Sequence, residues 1–181
     1  MATLTSRWSQ VLTAIQRTAW NLYGSNVAMK NKLGEAVYLT GFNHYLRSNI
    51  AIMDVGGTVV DAGPTTFELP EKDSTFAISI SEAAQLVVMA FDDTADWCDE
   101  DDAFLSVYEG APQNPQRNFF AGPYRGVHSL AGDSVAPPST ADSVACVHVC
   151  TELQRVWVRA RIIRADGRVS EDFNANCFCA A

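Results

Sequence analysis

Histidine is scarce in this chain of 181 residues: His44, His128 and His148 are its three, far apart and on helix- or strand-like patterns. None has a neighbouring carboxylate or thiol set, so they are expected to pack or face solvent rather than act as a general base. Long apolar runs are also lacking. None approaches the ~18 residues that would cross a bilayer, so no membrane segment or membrane partner is expected. The first residues, Met1 to Arg7, lack a basic stretch followed by an apolar core, which predicts no secretion signal and a soluble chain made in a cytoplasm. There is no phosphate-cradling glycine loop and no 20–50-residue repeat. Positive charge is short as well: 13 basic residues against 21 acidic ones leave a net charge of -8. An acidic surface argues against direct binding of nucleic acid, whose phosphates require a basic one.

The charge that is present is uneven. Residues 1–50 carry Arg7, Arg17, Lys30, Lys32 and Arg47 against Glu35, a balance of +4, which leaves -12 for the rest. Seven carboxylates fall within Asp92–Asp102. Such a stretch could supply oxygens to calcium, but it lacks the glycine and closing glutamate of an EF-hand loop, and a solvated loop between strands is the favoured reading. The five cysteines, Cys98, Cys146, Cys150, Cys177 and Cys179, form no tight Cys-x-x-Cys turn. In strand-like sequence, residues two and four apart lie ~7 and ~13 Å apart along one face, too far for shared tetrahedral zinc. No metal, cofactor or catalytic residue is therefore predicted, and the thiols are expected to be reduced core side chains. A disulfide between neighbouring strands stays open should the protein leave the cell.

Period separates the chain into a head and a body. Ser6 is a candidate cap for a helix in which Trp8, Leu12, Ile15, Ala19 and Leu22 make an apolar stripe, closed by Gly24-Ser25-Asn26. Thr40 caps a second helix from about Gly41 to Met53, with Phe42, Tyr45, Leu46, Asn49, Ile50 and Met53 on one side and Gly56-Gly57 at its end. Neither helix is long enough to be stable alone, so the two are expected to share a core. Residues 58–73, with Gly63, Pro64 and Pro70, read as an extended linker. From residue 74 the period is two. Strands are expected at Phe76–Ile80, Leu86–Phe91, Phe104–Tyr108, Tyr124–Leu130, Ser143–Thr151 and Val156–Ile163, with Asp166-Gly167 as a hairpin turn. The fold class is thus α+β, mainly β: a two-helix head over 1–57, a linker over 58–73, and an immunoglobulin- or fibronectin-like antiparallel β-sandwich over 74–181.

Two segments carry residue types suited to chemistry or contact. Gly132-Asp133-Ser134 resembles an esterase nucleophile motif, but it lies in a proline-rich loop rather than on a strand-to-helix turn, so hydrolysis is not expected. The turn-rich stretch after residue 108 presents Arg117, Phe119, Phe120, Tyr124 and Arg125 among prolines and glycines. Aromatic and arginine residues anchor protein interfaces, so these five are the interface candidates. Folding back of Phe119 and Phe120 to close the end of the sandwich is the competing reading.

Three pieces of the chain resemble a loosely defined group of tailed-bacteriophage virion structural proteins. They are the paired-tryptophan helix Trp8 to Trp20, the helix Leu39-Thr40-Gly41-Phe42-Asn43-His44-Tyr45-Leu46-Arg47-Ser48-Asn49, and the turn signatures Ala111–Arg125 and Arg164–Ser170. The acidic stretch and the cysteine-rich end depart from that pattern. The resemblance implies a non-enzymatic virion component, made in the host cytoplasm. As a capsid decoration or cement protein it would dock in many copies on the major capsid protein or other virion proteins, as a homo-oligomer. A tail, neck or connector component is the nearest alternative. From another class comes a calcium-assisted carbohydrate- or receptor-binding module.

Overall fold

The computed structural model describes residues 2–31 and 33–181. Helices α1 (Ala2–Gln10), α2 (Ala14–Asn26) and α3 (Gly41–Asp54) flank a short hairpin, β1 (Ala28–Lys30) with β2 (Ala36–Tyr38). Seven strands follow: β3 (Ala77–Ile80), β4 (Leu86–Ala90), β5 (Phe104–Gly110), β6 (Tyr124–Ala131), β7 (Asp142–Ala145), β8 (Arg155–Ile163) and β9 (Phe173–Phe178). The chain forms two compact units: a helical one of Met1–Glu71 and Ile163–Glu171, and a β unit of Lys72–Ile162 and Asp172–Ala181.

In the helical unit, Thr13 makes a capping box: its side chain accepts from the Gln16 N–H, and Gln16 Oε1 accepts from the Thr13 N–H at 2.8 Å. The cap breaks the expected first helix in two, so the head has three helices rather than two. Arg17 satisfies the end of α1 by donating to the Trp8 carbonyl at 3.2 Å, and it also donates to the Leu12 carbonyl just past the helix at 2.5 Å. Ser6 is no cap but lies inside α1, its hydroxyl donating to the Thr3 carbonyl. Because the break resets the helical phase, Ile15 is 82% exposed and Leu22 is also exposed. The core instead gathers Leu4, Leu12, Trp20, Tyr23, Val27 and Tyr45, with Trp8, Leu46 and Ile50 against it.

Thr40 does cap α3, accepting from the Asn43 N–H. The glycine after it has a steric reason. A Cβ on Gly41 would sit 2.4 Å from the Asn21 backbone nitrogen, and one on Gly24 would sit 2.6 Å from the Leu39 carbonyl. Helices α2 and α3 therefore meet backbone to backbone, and Gly41→Ala is expected to lose about 1–3 kcal/mol by overpacking, measurable by urea denaturation.

Residues 58–71, expected as a linker, are part of this unit. Asn49 is buried and reads Val60 from both sides, accepting its N–H at 2.7 Å and donating to its carbonyl at 3.0 Å. Asp61 takes the Arg7 guanidinium at 2.6 Å, and its carbonyl accepts from Trp20 Nε1 at 3.0 Å. The turn of residues 163–171 also belongs here: Arg47 donates to the carbonyls of Val169 and Ser170, and the Lys30 N–H donates to Glu171.

The β unit is a sandwich of a three-stranded sheet, β3-β4-β7, and a four-stranded sheet, β6-β5-β8-β9. Counted within the unit, strands 1-2-5 face strands 4-3-6-7, the order of an immunoglobulin-like Greek key. Past β9, Ala180 pairs in parallel with Ser81, its N–H donating to Ile80 at 2.9 Å, and this covers an edge of β3. Alternation fills the interior: Val87 and Met89 on β4, Leu105 and Val107 on β5, Val156, Val158, Ala160 and Ile162 on β8, and Phe173 on β9. The expected strand Ser143–Thr151 is shorter, ending at Ala145, where Gln85 and Glu109 take over the backbone N–H groups of Cys146, Val147 and His148. The expected hairpin turn at Asp166-Gly167 is present and short: the Arg164 N–H donates to the Arg168 carbonyl at 2.9 Å, and Val169 pairs with Ile163 in a single antiparallel bridge.

Candidate functional site

The interface candidates other than Arg125 gather at the outer face of the four-stranded sheet. On β8, residues alternate with the core set, placing Arg155, Trp157, Arg159 and Arg161 on this face. In register on β9, Phe178 stands opposite Arg155, Asn176 opposite Trp157 and Asn174 opposite Arg159. On the other side, Tyr124 of β6 stands opposite Gly110 of β5.

The segment between β5 and β6 folds onto this face because it is bonded to it. Gln113 and Arg155 exchange both backbone hydrogen bonds at 2.9 Å. The Arg155 guanidinium donates to the Arg117 carbonyl at 3.0 Å and to Asn176 Oδ1 at 2.9 Å. Phe120 then drops into a gap that only glycine leaves: a Cβ on Gly110 would lie 2.3 Å from its ring. There the Phe120 ring stacks on Trp157 (centroids 5.8 Å apart, 20° between planes) and meets Tyr124 edge-on at 5.1 Å.

These contacts make a continuous arginine–aromatic ladder. The Arg155 guanidinium lies 5.3 Å from the Phe178 ring centre and 5.1 Å from that of Trp157. Arg159 lies 4.7 Å from the Tyr124 centre and 5.5 Å from that of Tyr108. Asp172 holds the other end by pairing with Arg159 and Arg161. Each cation–π contact contributes about 0.5–1 kcal/mol at such exposure, and each ring pair a comparable amount. The ladder is therefore held in order by contacts within the chain. Burial pushes the Tyr124 hydroxyl pKa up, with Arg159 pulling the other way, so Tyr124 stays neutral.

The five expected residues divide. Phe120 and Tyr124 fold back into the ladder. Phe119 does not: it is 69% exposed, with Arg117 lying 5.5 Å from its ring centre and donating to its carbonyl. Arg125 stands opposite Glu109, a core-facing position, so its side chain leaves the strand on the side away from Tyr124. Sequence reasoning missed Arg155, Trp157, Arg159, Tyr108 and Phe178. The signal was there in the alternation Arg155-x-Trp157-x-Arg159-x-Arg161, which puts every polar-aromatic position of β8 on one face.

The acidic stretch is a folded turn rather than an open ligand cage. Asp92 accepts from the Thr94 N–H and hydroxyl, Asp93 from the Thr140 N–H, and Asp101 from the Ser134 N–H and hydroxyl. The Thr94 hydroxyl and then its N–H hold the Asp92 carboxyl below the usual range. The same turn delivers Trp97 and Cys98 to the sandwich core, where burial and then the surrounding aspartates push the Cys98 thiol up to about 11. Among the described residues, no group of three or more His, Cys, Asp or Glu side chains is arranged to hold a metal ion. Ser134 of the esterase-like triplet is bonded to Asp101, and Asp133 beside it caps the Val135 and Ala136 amides. His128 pairs with Asp142 at 2.7 Å.

No family model and no curated protein matches the chain. Among solved structures, it is similar to a family 76 glycoside hydrolase from a bovine Bacteroides thetaiotaomicron strain, at 13% identity and a TM-score of 0.40. That match covers 61% of this chain and 20% of the hydrolase chain, so the likeness spans about a fifth of that protein's length.

Proposed function

We propose that this chain is a non-enzymatic docking protein of a bacteriophage virion, a capsid decoration or cement protein that binds its lattice in many copies. The observation that carries the reading is the preorganised ladder topped by exposed Phe119 and Arg117. An exposed aromatic held by an arginine, in a connection bonded onto a sheet, is the kind of group that becomes an interface anchor, because little side-chain freedom remains to be lost on docking. The resemblance of the two helical segments and the turn signatures to virion structural proteins supplies the partner class, the major capsid protein or other virion proteins. Repetition on a symmetric shell would multiply a modest single interface.

Mass spectrometry of purified particles tests this directly. Hundreds of copies per particle fit decoration, a small ring number fits a tail, neck or connector component, and no copies would end the virion reading. At the residue level, Phe119→Ala is expected to leave the melting temperature within the range of ordinary surface changes while weakening binding to shells stripped of this protein by roughly tenfold or more. Phe120→Ala is expected to lower both, because it also empties the space over Gly110.

A further inference from the structure

Cys150 and Cys179 lie 29 residues apart in sequence and meet in the sandwich, each about 1% exposed. The Cys179 thiol donates to the Cys150 sulfur at 3.0 Å. Hydrogen bonds that do not involve the sulfurs fix both positions. The Leu153 N–H donates to the Cys179 carbonyl at 2.9 Å, and the Cys179 N–H donates to the Gln154 carbonyl at 2.8 Å. Gln85 grips the other partner, accepting the Cys150 N–H at 3.1 Å and donating to its carbonyl at 2.8 Å. Cys146, half-exposed on the same loop, is held through its N–H by the Gln85 carbonyl at 2.9 Å. All five thiols are free.

We propose that Cys150 and Cys179 are an oxidation site, closing to a disulfide when the chain meets a small-molecule disulfide of the glutathione type. The bond would tie the loop after β7 to the end of β9, beside the place where Ala180 pairs with Ser81. One protein thiolate attacks a sulfur of the small disulfide and expels one small thiolate, leaving a mixed disulfide. The second protein thiolate attacks the protein sulfur of that adduct and expels the other. The protein pair loses two electrons and the small disulfide gains them; the two protons leave the protein thiols and end on the released thiols. Burial raises the pKa of both protein thiols, that of Cys179 to about 12, so few thiolates are present at neutral pH and exchange must wait for local opening of the 146–154 loop. Reduced while the cell's thiol pool surrounds it, the site would close after release to an oxidising medium. It does not depend on the docking role proposed above.

The test uses the full chain, incubated for days at about pH 8.5, where thiolate is more abundant, with oxidised glutathione and, separately, with reduced glutathione alone. Oxidation is expected to lower the alkylatable thiols from five to three, give a Cys150–Cys179 linked peptide, and raise the melting temperature by roughly 5–15 °C, the range expected for a cross-link of this span. Cys98→Ala and Cys146→Ala should each still lose two thiols and give the Cys150–Cys179 linked peptide, whereas Cys179→Ala should not, the Cys146 thiol beside Cys150 being the neighbour left to it. Five thiols persisting in the unaltered chain, or a linked peptide joining another pair, would overturn the assignment. Should Cys179→Ala not fold, the peptide map of the unaltered chain decides alone.

Discussion

Trp20→Ala is expected to destabilise the helical unit by about 3–5 kcal/mol, the cost of emptying a large aromatic site in a closed core. Trp20 is fully buried, edge-on to Tyr45 at 5.6 Å and to Tyr23 at 6.0 Å. Its indole N–H is also the donor that holds the Asp61 carbonyl, so removal leaves a partly buried acceptor without its partner and loosens residues 58–63, which close the unit. Gly63 and Gly167 pack against its backbone and ring, which leaves no flexible side chain at those two contacts to swing into the space. Against a domain stability of about 5–15 kcal/mol, this loss is a large fraction of the whole. Denaturant unfolding followed by hydrogen exchange should show amides of α2 and α3 opening well below the concentration that opens β5 and β8, because the sandwich has a separate core. Ile15→Ala is the matched control. Although it falls on the same apolar stripe by simple periodicity, it is largely exposed and should change stability by less than about 0.5 kcal/mol. A large effect at Ile15 with a small one at Trp20 would mean that one unbroken helix, not two, forms the start of the chain.

That contrast shows what could be read from the sequence and what could not. Thr40 and the glycine pair after Met53 marked α3 closely, because caps and stops are local chemistry. The alternating stretches gave the sandwich class for the same reason: a period of two needs no knowledge of partners. The break at Thr13 was harder, since the apolar residues on either side still fit one helical phase and only the Gln16 side chain, reaching back to the cap, shows the interruption. Residues 58–71 read as a linker because Gly63, Pro64 and Pro70 suit extended chain. What ties them to the head is the long-range pairing of Asn49 with Val60 and of Arg7 with Asp61, which no local pattern reveals. The arginine–aromatic face was half legible. Arg117 to Tyr124 stood out by composition, but the arginines and tryptophan of β8 that order them become neighbours only through the sheet register.

Acidification should then weaken the helical unit by up to about 3 kcal/mol through one side chain, His44. It is fully buried on α3, edge-on to the Tyr23 ring at 5.0 Å, with both ring nitrogens unpaired. Burial first and then the nearby Arg47 guanidinium together lower its pKa from 6.5 to about 4, against a smaller opposing pull from the Val27 backbone. The sign follows from where the proton binds. Between pH 6.5 and 4 the unfolded chain takes up a proton that the folded chain refuses, so stability is full above 6.5 and falls as the pH drops towards 4. By this linkage about 2 kcal/mol is lost at pH 5 and about 3 at pH 4. Asp61, whose carboxyl the Arg7 guanidinium holds below its usual range, adds an acid-labile contribution only at lower pH, below the ordinary carboxylate value. The two effects therefore separate on the pH axis. His44→Phe keeps a ring beside Tyr23 and removes the titration, so its stability should be nearly flat from pH 7 to 5 while the unaltered chain declines. Parallel declines in both would assign the acid sensitivity to other groups and leave His44 as a packing residue alone.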